Sequence, residues 1–347
     1  MSKKHTKPSR WRKALRIILI VLLALAVAVG GTVGVLYLAG KGAFAGNNHA
    51  ITGASSLIEE IEDEGLTVTF HGDTYRFNEN VVTVLCLGVD KKSVQQDSHS
   101  GSNGQADSLF LLGLDTATGA TKILPISREI MAPVDFYSPS GTFVSTQDAQ
   151  ICLSYAYGAT GEESCKNVMK TVSRLLYFMD IDAYMAIDLD GVAALSNAVG
   201  GVPVTAIETL KDWHEGDQLN LKGNRAVQYI QGRGSDLEAN LRRQKRQKQF
   251  LDSFLQQARA HILKDPTKIT TYYNTAKRHI VTDLTLAEIT YLATKAVKMT
   301  SPTYLSIEGE TVMGEEYVEF RADEESLLQA ALDMYYIKED KAPEASE

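Results

Sequence analysis

The sequence predicts an α/β protein in which a mixed central β-sheet, flanked by helices, follows one transmembrane helix. Three observations lead to this fold class. The chain of 347 residues begins with a basic tail and a long segment without charge. The apolar run Val81–Val89 has the pattern of a strand buried on both faces. Segments with strand and helix periodicity then alternate without repeats or a second change in composition, which favours a single domain over residues 66–337.

The first 39 residues have the pattern of a membrane anchor. Residues 1–16 carry seven Lys and Arg residues and no acid, and the 23 residues 17–39 contain no charge. At about 1.5 Å per residue, such a helix spans a hydrocarbon core of roughly 30 Å. The basic flank predicts a single-pass protein of the cell membrane, with a cytoplasmic N-terminus and an extracytoplasmic main domain. The alternative is a cleaved signal peptide, because Ala43-Phe44-Ala45 resembles a cleavage site. However, the apolar segment exceeds the usual length of roughly 7–15 residues.

The charge balance outside the tail argues against one class of partner. The whole chain has a formal net charge of −8. Without the seven basic residues of the tail, 28 basic residues stand against 43 acidic ones, a net charge of −15. Such a surface repels a polyanion, so we expect no nucleic-acid partner. A local group of arginines in an acidic domain then indicates a site for a small anion.

The three cysteines, Cys86, Cys152 and Cys165, lack the Cys-x-x-Cys or Cys/His spacing of a metal site. Cys86 falls in an apolar strand and is expected to pack in the core. Cys152 and Cys165 have two open interpretations. They form a disulfide, which is permitted outside the cytoplasm, or they are two free buried thiols.

The first half of the main domain has mostly strand periodicity. Residues 40–65 read as a linker and a short helix, Thr52–Glu64, in which Leu57, Ile58 and Ile61 stand at helical spacing. The elements expected next are a hairpin of Leu66–Phe70 and Thr74–Phe77, the strand Val81–Val89, an irregular loop over Lys91–Gln105, a hairpin of Leu109–Leu114 and Thr121–Ile126, and helices over Asp148–Tyr157 and Glu162–Phe178.

The second half is richer in helical periodicity, with a glycine pair, Gly200-Gly201, that favours a helix end. Residues 338–347 are charged, contain a proline and are expected to be disordered. Over residues 182–336, the expected strands are Asp182–Ile187, Val202–Ala206, Tyr304–Ile307 and Tyr317–Phe320. The expected helices are Leu189–Val199, Lys222–Ile230, Ser235–Leu263, Pro266–Ala276, Leu286–Met299 and Glu324–Tyr336.

Two aspartates flank the loop that follows the strand Val81–Val89. Asp90 ends the strand Val81–Val89, and Asp107 opens the next strand after the loop Lys91–Gln105. If the two strands are antiparallel neighbours, both carboxylates lie at one edge of the sheet, where ligands bind in open α/β folds. Carboxylates with phosphate oxygens and water form the ligand set of Mg²⁺, or of Mn²⁺. The competing interpretation is that each aspartate only caps a strand end or a turn.

Arginines share one face of the longest predicted helix. Arg243, Arg246 and Gln247 are spaced i, i+3 and i+4, and Phe250 and Phe254 continue their face toward the core. Inward-facing arginines need a partner, and the guanidinium fork matches phosphate oxygens.

Two further arginines, Arg128 and Arg233, stand on loops at the ends of elements, where ligand-binding residues concentrate. Carboxylates and arginines together suit a metal-bound pyrophosphate. The membrane anchor indicates that this pyrophosphate belongs to a lipid.

A series of short motifs follows in order between residues 82 and 255. The motifs are Leu87-Gly-Val-Asp90, Gln105-Ala-Asp-Ser108, Ile126-Ser-Arg-Glu129, Ser154-Tyr-Ala-Tyr-Gly158, Ala198-Val-Gly-Gly-Val202, Leu221-Lys-Gly223, Tyr229-Ile-Gln-Gly-Arg233 and Arg243-Gln-Lys-Arg-Gln247. This series resembles the LytR–CpsA–Psr family, in the family's order. The resemblance implies an enzyme that moves a glycopolymer, such as teichoic acid or capsule, from a polyprenyl-pyrophosphate carrier onto peptidoglycan through a phosphodiester. Magnesium and a lipid pocket in the core of the domain are implied with it.

The same resemblance implies roles for individual residues. Asp90 and Asp107 match the family's metal-binding acids. Gln105 and Gln231 stand where arginines are usual, so two cationic contacts to the pyrophosphate are absent. The usual Pro-Arg-Asp signature reads Ser127-Arg128-Glu129. The pyrophosphate-contacting positions are Arg128, Arg233, Arg243, Arg246 and Gln247.

Two alternatives to a transferase remain at this point. A hydrolase of the same lipid pyrophosphate would use the same residues, with water in place of the sugar hydroxyl. A non-catalytic regulator would only bind the lipid-linked polymer. The glutamines at positions 105 and 231 favour the regulator, and the intact pair of aspartates favours an enzyme.

Overall fold

The computed structural model describes residues 34–44, 50–51, 55–91, 93–97, 99–232, 239–298, 301–314 and 317–339. The predicted basic tail, most of the predicted membrane span 17–39 and most of the predicted C-terminal tail lie outside these ranges. Within them, no helix combines the length and the apolar composition that crossing a membrane requires. The anchor therefore stays a prediction.

Strands dominate the described ranges up to residue 150, and helices are more frequent after residue 160, so strict alternation of strands and helices holds only around residues 183–205. Two 3₁₀ segments cover Asp63–Gly65 and Ile151–Tyr157. The helices are α1 (34–43), α2 (Gly161–Leu175), α3 (Leu189–Ala198), α4 (Asn224–Gln231), α5 (Ala239–Lys264), α6 (Lys268–Ala276), α7 (Leu286–Ala296) and α8 (Glu324–Tyr335). The strands are β1 (Glu60–Glu62), β2 (Thr67–Phe70), β3 (Asp73–Phe77), β4 (Val81–Val89), β5 (Ala106–Asp115), β6 (Thr121–Ile126), β7 (Met131–Tyr137), β8 (Phe143–Gln150), β9 (Ala183–Ile187), β10 (Val202–Thr205), β11 (Gln218–Leu221), β12 (Ile280–Thr282), β13 (Thr303–Tyr304), β14 (Gly309–Met313), β15 (Val318–Ala322) and β16 (Tyr336–Lys338).

A six-stranded mixed sheet forms the centre of the domain, in the order β12-β9-β4-β5-β6-β13. β4 pairs antiparallel with β5, and β5 pairs antiparallel with β6, while β4 and β9 run parallel. Leu85 lies opposite Leu111 on one face of the sheet, and Val84 lies opposite Leu112 on the other. Since core residues cover both faces, β4 needs apolar side chains at nearly every position.

Helices cover both faces of this sheet. Val168 of α2 and Leu328 of α8 share a buried core with Leu85. On the opposite face, Leu292 of α7 shares a core with Val84. The predicted fold class, a mixed sheet with helices on both faces, is confirmed for the described part of the chain.

A smaller core lies beside the sheet and supports α5. The hairpin of β10 and β11, helix α4 and the segment around Trp213 bury Trp213, Leu221 and Tyr229 together. Phe250 and Phe254 of α5 pack against this cluster. The prediction that the arginine face of α5 turns toward the core is therefore confirmed.

Two predicted helices are wrong in part. Within the predicted helix Thr52–Glu64, residues 60–62 form β1, which pairs with β2, and residues 63–65 form a 3₁₀ turn. Leu57 and Ile58 do pack against the main core. Their apolar side chains are therefore a correct sign of burial, although the segment that carries them is not an α-helix. In the predicted helix Asp148–Tyr157, the first three residues end β8, and only the remainder is helical, as a 3₁₀ segment.

The hairpin of β7 and β8 is attached to α2 by one buried carboxylate. Asp135 is 5% exposed and accepts hydrogen bonds from Arg174 Nη1 at 2.7 Å, Lys170 Nζ at 2.6 Å and Thr146 Oγ1 at 2.6 Å. Burial alone would raise the pKa of Asp135, but the bonds from Arg174, Lys170 and Thr146 outweigh burial and hold this pKa far below its usual range.

We expect Asp135→Asn to lower the free energy of unfolding by about 2 kcal/mol at neutral pH, because the charge-assisted bonds are lost. A depressed pKa in the folded state stabilises the fold fully above the unfolded pKa of about 4, and this contribution fades as the pH falls below it. Urea denaturation at pH 7 and pH 3 measures the difference between variant and parent. A difference that does not shrink at pH 3 would contradict this assignment, and Asp148→Asn, on the exposed part of β8, is the control.

Candidate active site

A cavity of about 470 Å³ opens at the edge of the central sheet where β4 ends and β5 begins. Five of the residues predicted from sequence line it: Asp90, Asp107, Arg128, Arg243 and Gln247. Arg246 is not among the lining residues, and Arg233 lies outside the described ranges. The other lining residues are Gly88, Val89, Gln105, Ser108, Ile187, Leu189, Val192, Ile230 and Gln231.

A β-bulge directs Asp107 into this cavity. Gly88 pairs with Ser108, but the next residue of β4, Val89, pairs with Ala106, so Asp107 is the extra residue of β5. Ala106 is fully buried in the main core. The extra residue lets Asp107 and Ser108 both face the cavity, although they are neighbours in a strand.

Arg128, two residues after β6, holds the acidic edge of the cavity. Its Nη1 lies 2.6 Å from Asp107 Oδ1, and its Nη2 donates to Gln105 Oε1. The sulfur of Cys152 lies 3.6 Å from the same Nη2. Burial disfavours the charged form of Arg128, but the neighbouring carboxylate of Asp107 favours it, so the pKa is raised and the guanidinium stays charged.

Asp90 is linked to the end of α4. It follows β4 directly, is exposed, and accepts a hydrogen bond on Oδ1 from Gln231 Nε2 at 3.2 Å. Gln231 is the last residue of α4, and Gln247 Nε2 of α5 donates to the carbonyl of Ile230 at 3.3 Å. The glutamine at position 231 therefore contacts a predicted metal ligand, and Gln247 links the end of α4 to α5.

The predicted arginine face of α5 divides into two parts. Arg243 is 6% exposed and reaches the cavity. Arg246, one turn further, is fully buried behind the wall, where its Nη2 donates to the carbonyl of Gly232 and its guanidinium lies 5.8 Å from the ring centre of Tyr229. Burial lowers the pKa of Arg246, and Glu208 opposes this effect.

Glu208 is a charged residue of this region that the sequence did not reveal. Its side chain is 12% exposed, its Oε2 accepts from Arg242 Nε at 2.8 Å, and its Oε1 lies 3.1 Å from Arg246 Nε. Glu208 stands in a segment without periodicity, and its pairing with α5 depends on the tertiary fold, so no local pattern identifies it.

An apolar wall adjoins the charged part of the cavity. Ile187, Leu189, Val192 and Ile230 line it. On the same sheet face as Ile187, Cys86 and Phe110 are only partly buried. Apolar side chains beside a cluster of convergent charges suit an amphiphilic ligand with an anionic head.

The carboxylates fit a divalent cation that is bound together with substrate. In the described ranges, only one oxygen of each is engaged: Asp107 Oδ1 by Arg128 and Asp90 Oδ1 by Gln231. The same ranges contain no group of three or more His, Cys, Asp or Glu placed to hold a metal. Two carboxylates with substrate phosphates and water are the ligands that Mg²⁺ prefers. The metal site therefore remains a prediction with a suitable donor set.

The cysteines are free thiols. Cys152 and Cys165 are buried and unpaired with each other, which decides between the two open interpretations. Burial raises the pKa of Cys86 to about 12 and also raises the pKa of Cys152 and Cys165, so all three are neutral thiols at pH 7.

The fold and the cavity define an α/β domain in which acidic and basic side chains meet at the edge of a mixed sheet, beside an apolar wall. Residues 47–334 match the LytR_cpsA_psr family. The chain belongs to the LytR–CpsA–Psr family, as its motifs predicted.

Named relatives are similar to this chain over part of their length. Biofilm regulatory protein A of Streptococcus mutans is 26% identical over 258 residues, which cover 69% of this chain and 60% of that protein. The polyisoprenyl-teichoic acid–peptidoglycan teichoic acid transferase TagV of Bacillus subtilis is 25% identical over 183 residues, 50% of this chain and 42% of TagV. The chain thus matches less than two thirds of each relative. The crystal structure of B. subtilis TagV has the same fold, with a TM-score of 0.59 at 22% identity over 74% of this chain and 96% of that chain.

Proposed function

We propose that this protein transfers a glycopolymer from a polyprenyl-pyrophosphate carrier onto peptidoglycan. One observation carries the proposal: two carboxylates and two arginines from distant parts of the chain meet in a single cavity that continues into an apolar wall. The name of the relative TagV, a teichoic acid transferase acting on peptidoglycan, supports the same reaction class. The apolar wall would hold the first prenyl units, and the charged part would hold the pyrophosphate.

Asp90 and Asp107 would hold Mg²⁺, or Mn²⁺, together with the substrate. When bound, the cation supplies positive charge for the phosphate oxygens. Arg243 reaches the same cavity from α5 and stabilises negative charge that builds on the leaving polyprenyl phosphate. Arg128 holds Asp107 in place and adds a second positive charge at the acidic edge.

The reaction exchanges one phosphorus–oxygen bond for another. A sugar hydroxyl of peptidoglycan attacks the sugar-linked phosphorus in line, the bond to the bridging oxygen breaks, and polyprenyl phosphate leaves. The hydroxyl proton passes to one of the two aspartates. Phosphoryl transfer depends mainly on positioning and charge stabilisation, so a site without an activated serine or cysteine nucleophile is sufficient.

The proposed location follows from the same chemistry. A predicted anchor over residues 17–39 would hold the domain on the outer side of the cell membrane, where both a prenyl lipid and peptidoglycan are within reach. The apolar wall of the cavity could then receive the lipid from the bilayer.

Incubation of the full chain in detergent with Mg²⁺, a polyprenyl-pyrophosphate-linked saccharide and peptidoglycan oligomers tests the proposal. Mass spectrometry should show the saccharide joined to the glycan through a phosphodiester, and chelation of the metal should stop the reaction. Free saccharide phosphate with polyprenyl phosphate would instead indicate a hydrolase. A lipid that binds without turnover would indicate a binding protein, for which the glutamines at positions 105 and 231 are the structural reason.

A further inference from the structure

The buried arginine behind the cavity depends on one counter-charge. Arg246 is fully buried, and among the described residues neither its Nη1 nor its Nε makes a hydrogen bond, so the guanidinium depends on a nearby charge. A buried guanidinium without compensation is strongly destabilising. The carboxylate that compensates it is Glu208, whose Oε1 lies 3.1 Å from Arg246 Nε.

Glu208 joins two turns of α5. Its Oε2 accepts from Arg242 Nε at 2.8 Å while its Oε1 faces Arg246, so one carboxylate pairs with residues i and i+4 of the helix. It comes from the segment after β10, in the smaller core that supports α5. This placement fixes the rotation of α5 and thereby the direction in which Arg243 reaches the cavity.

A continuous chain of contacts leads from Glu208 to the acidic edge of the cavity. Arg246 Nη2 donates to the carbonyl of Gly232, the residue after α4. The preceding residue, Gln231, donates to Asp90 Oδ1 at 3.2 Å. A shift of Arg246 therefore moves the end of α4 relative to a predicted metal ligand.

We propose that Glu208 is a positioning residue for the anion site, acting through Arg246 and without contact to the substrate. The inference rests on the proposed function, because the anion is taken to be the lipid pyrophosphate. Removal of the charge of Glu208 leaves the buried positive charge of Arg246 without a counter-charge. The side chain of Arg246 and the end of α4 then move from their positions. The result is weaker binding of a pyrophosphate head group.

Binding of a short-chain polyprenyl-pyrophosphate disaccharide to the full chain, with Mg²⁺, provides the test. Loss of one charge-assisted interaction corresponds to a Kd that rises on the order of 10-fold in Glu208→Gln. Arg242→Gln should stay within about 2-fold of the parent, because Arg246 keeps its counter-charge. Glu215→Gln removes the same charge from an exposed position of the same segment and is the matched control.

A double-mutant cycle shows whether Glu208 acts through Arg246. In an Arg246→Met background, Glu208→Gln should have no further effect on the Kd. An unchanged Kd in the single variant Glu208→Gln, or additive effects in the double variant, would overturn the inference. The same cycle measured by urea unfolding tests the pair without any ligand, and absence of coupling there would also overturn it. If the parent binds no pyrophosphate lipid but the unfolding cycle shows coupling, the proposed function fails while the link between Glu208 and Arg246 stands.

Discussion

Replacement of Asp90 or Asp107 by asparagine is expected to lower the rate of glycopolymer transfer on the order of 10³-fold. Each substitution keeps the shape of the side chain but removes the negative charge that a hard divalent cation requires. Activity should not be restored by excess Mg²⁺ within the millimolar range. Binding of Mn²⁺ in the presence of inorganic pyrophosphate, followed by electron paramagnetic resonance, should weaken in parallel.

The two aspartates should differ in a second respect. Asp107 is also the ion-pair partner of Arg128, at 2.6 Å, whereas Asp90 accepts only a neutral amide from Gln231 in the described ranges. Asp107→Asn should therefore lower stability as well as activity, because Arg128 is largely buried and loses a partner. Asp97→Asn, at an exposed position of the intervening loop, serves as the control. Unchanged turnover in both site variants would show that the metal assignment is wrong.

Arg243→Ala is expected to reduce kcat/KM on the order of 10²-fold, the effect of losing one preorganised group that stabilises developing charge. Arg243 reaches the cavity from α5, and among the described residues that line it the only other cation is Arg128, which is engaged by Asp107. Lys245→Ala removes a positive charge from an exposed position two residues away and should leave the rate unchanged. Equal rates for the parent and Arg243→Ala would place the pyrophosphate elsewhere.

Arg243→Lys separates charge from geometry. Lysine restores the charge but presents a single ammonium group in place of the guanidinium fork. If bidentate contact to a phosphate matters, the lysine variant should recover only part of the lost rate. Full recovery would mean that net charge alone determines the contribution of this position.

The local patterns of the sequence placed the two acids at one edge of the sheet because each stands at the end of a strong strand. Asp90 ends a strand of nine largely buried residues, and Asp107 opens the next strand, so the antiparallel pairing of β4 and β5 places both at one edge. The face of α5 was predictable from the spacing of Arg243 and Gln247. These inferences needed only periodicity and the rule that ligands bind at strand ends.

Long-range pairings were not predictable in this way. The bulge at Asp107 depends on which residue of β4 pairs with Ala106, and alternation of apolar residues does not fix that register. Glu208 has no motif, and its role appears only when the segment after β10 meets α5. The placement of Arg246 behind the wall follows from the same contact, whereas spacing alone grouped it with Arg243.

The cavity is built from two hydrophobic cores of different size, and this has a consequence for how the site opens. The carboxylates belong to the central strands β4 and β5, which are embedded in the extensive core of the sheet. Arg243 and Gln231 belong to α5 and α4, which rest on the smaller cluster around Trp213 and Tyr229. Local unfolding begins where fewer apolar contacts must be broken. A fluctuation of the smaller core would therefore move Arg243 and Gln231 away from the acids while the sheet stays intact, so the proposed lipid substrate would be released without opening of the fold as a whole.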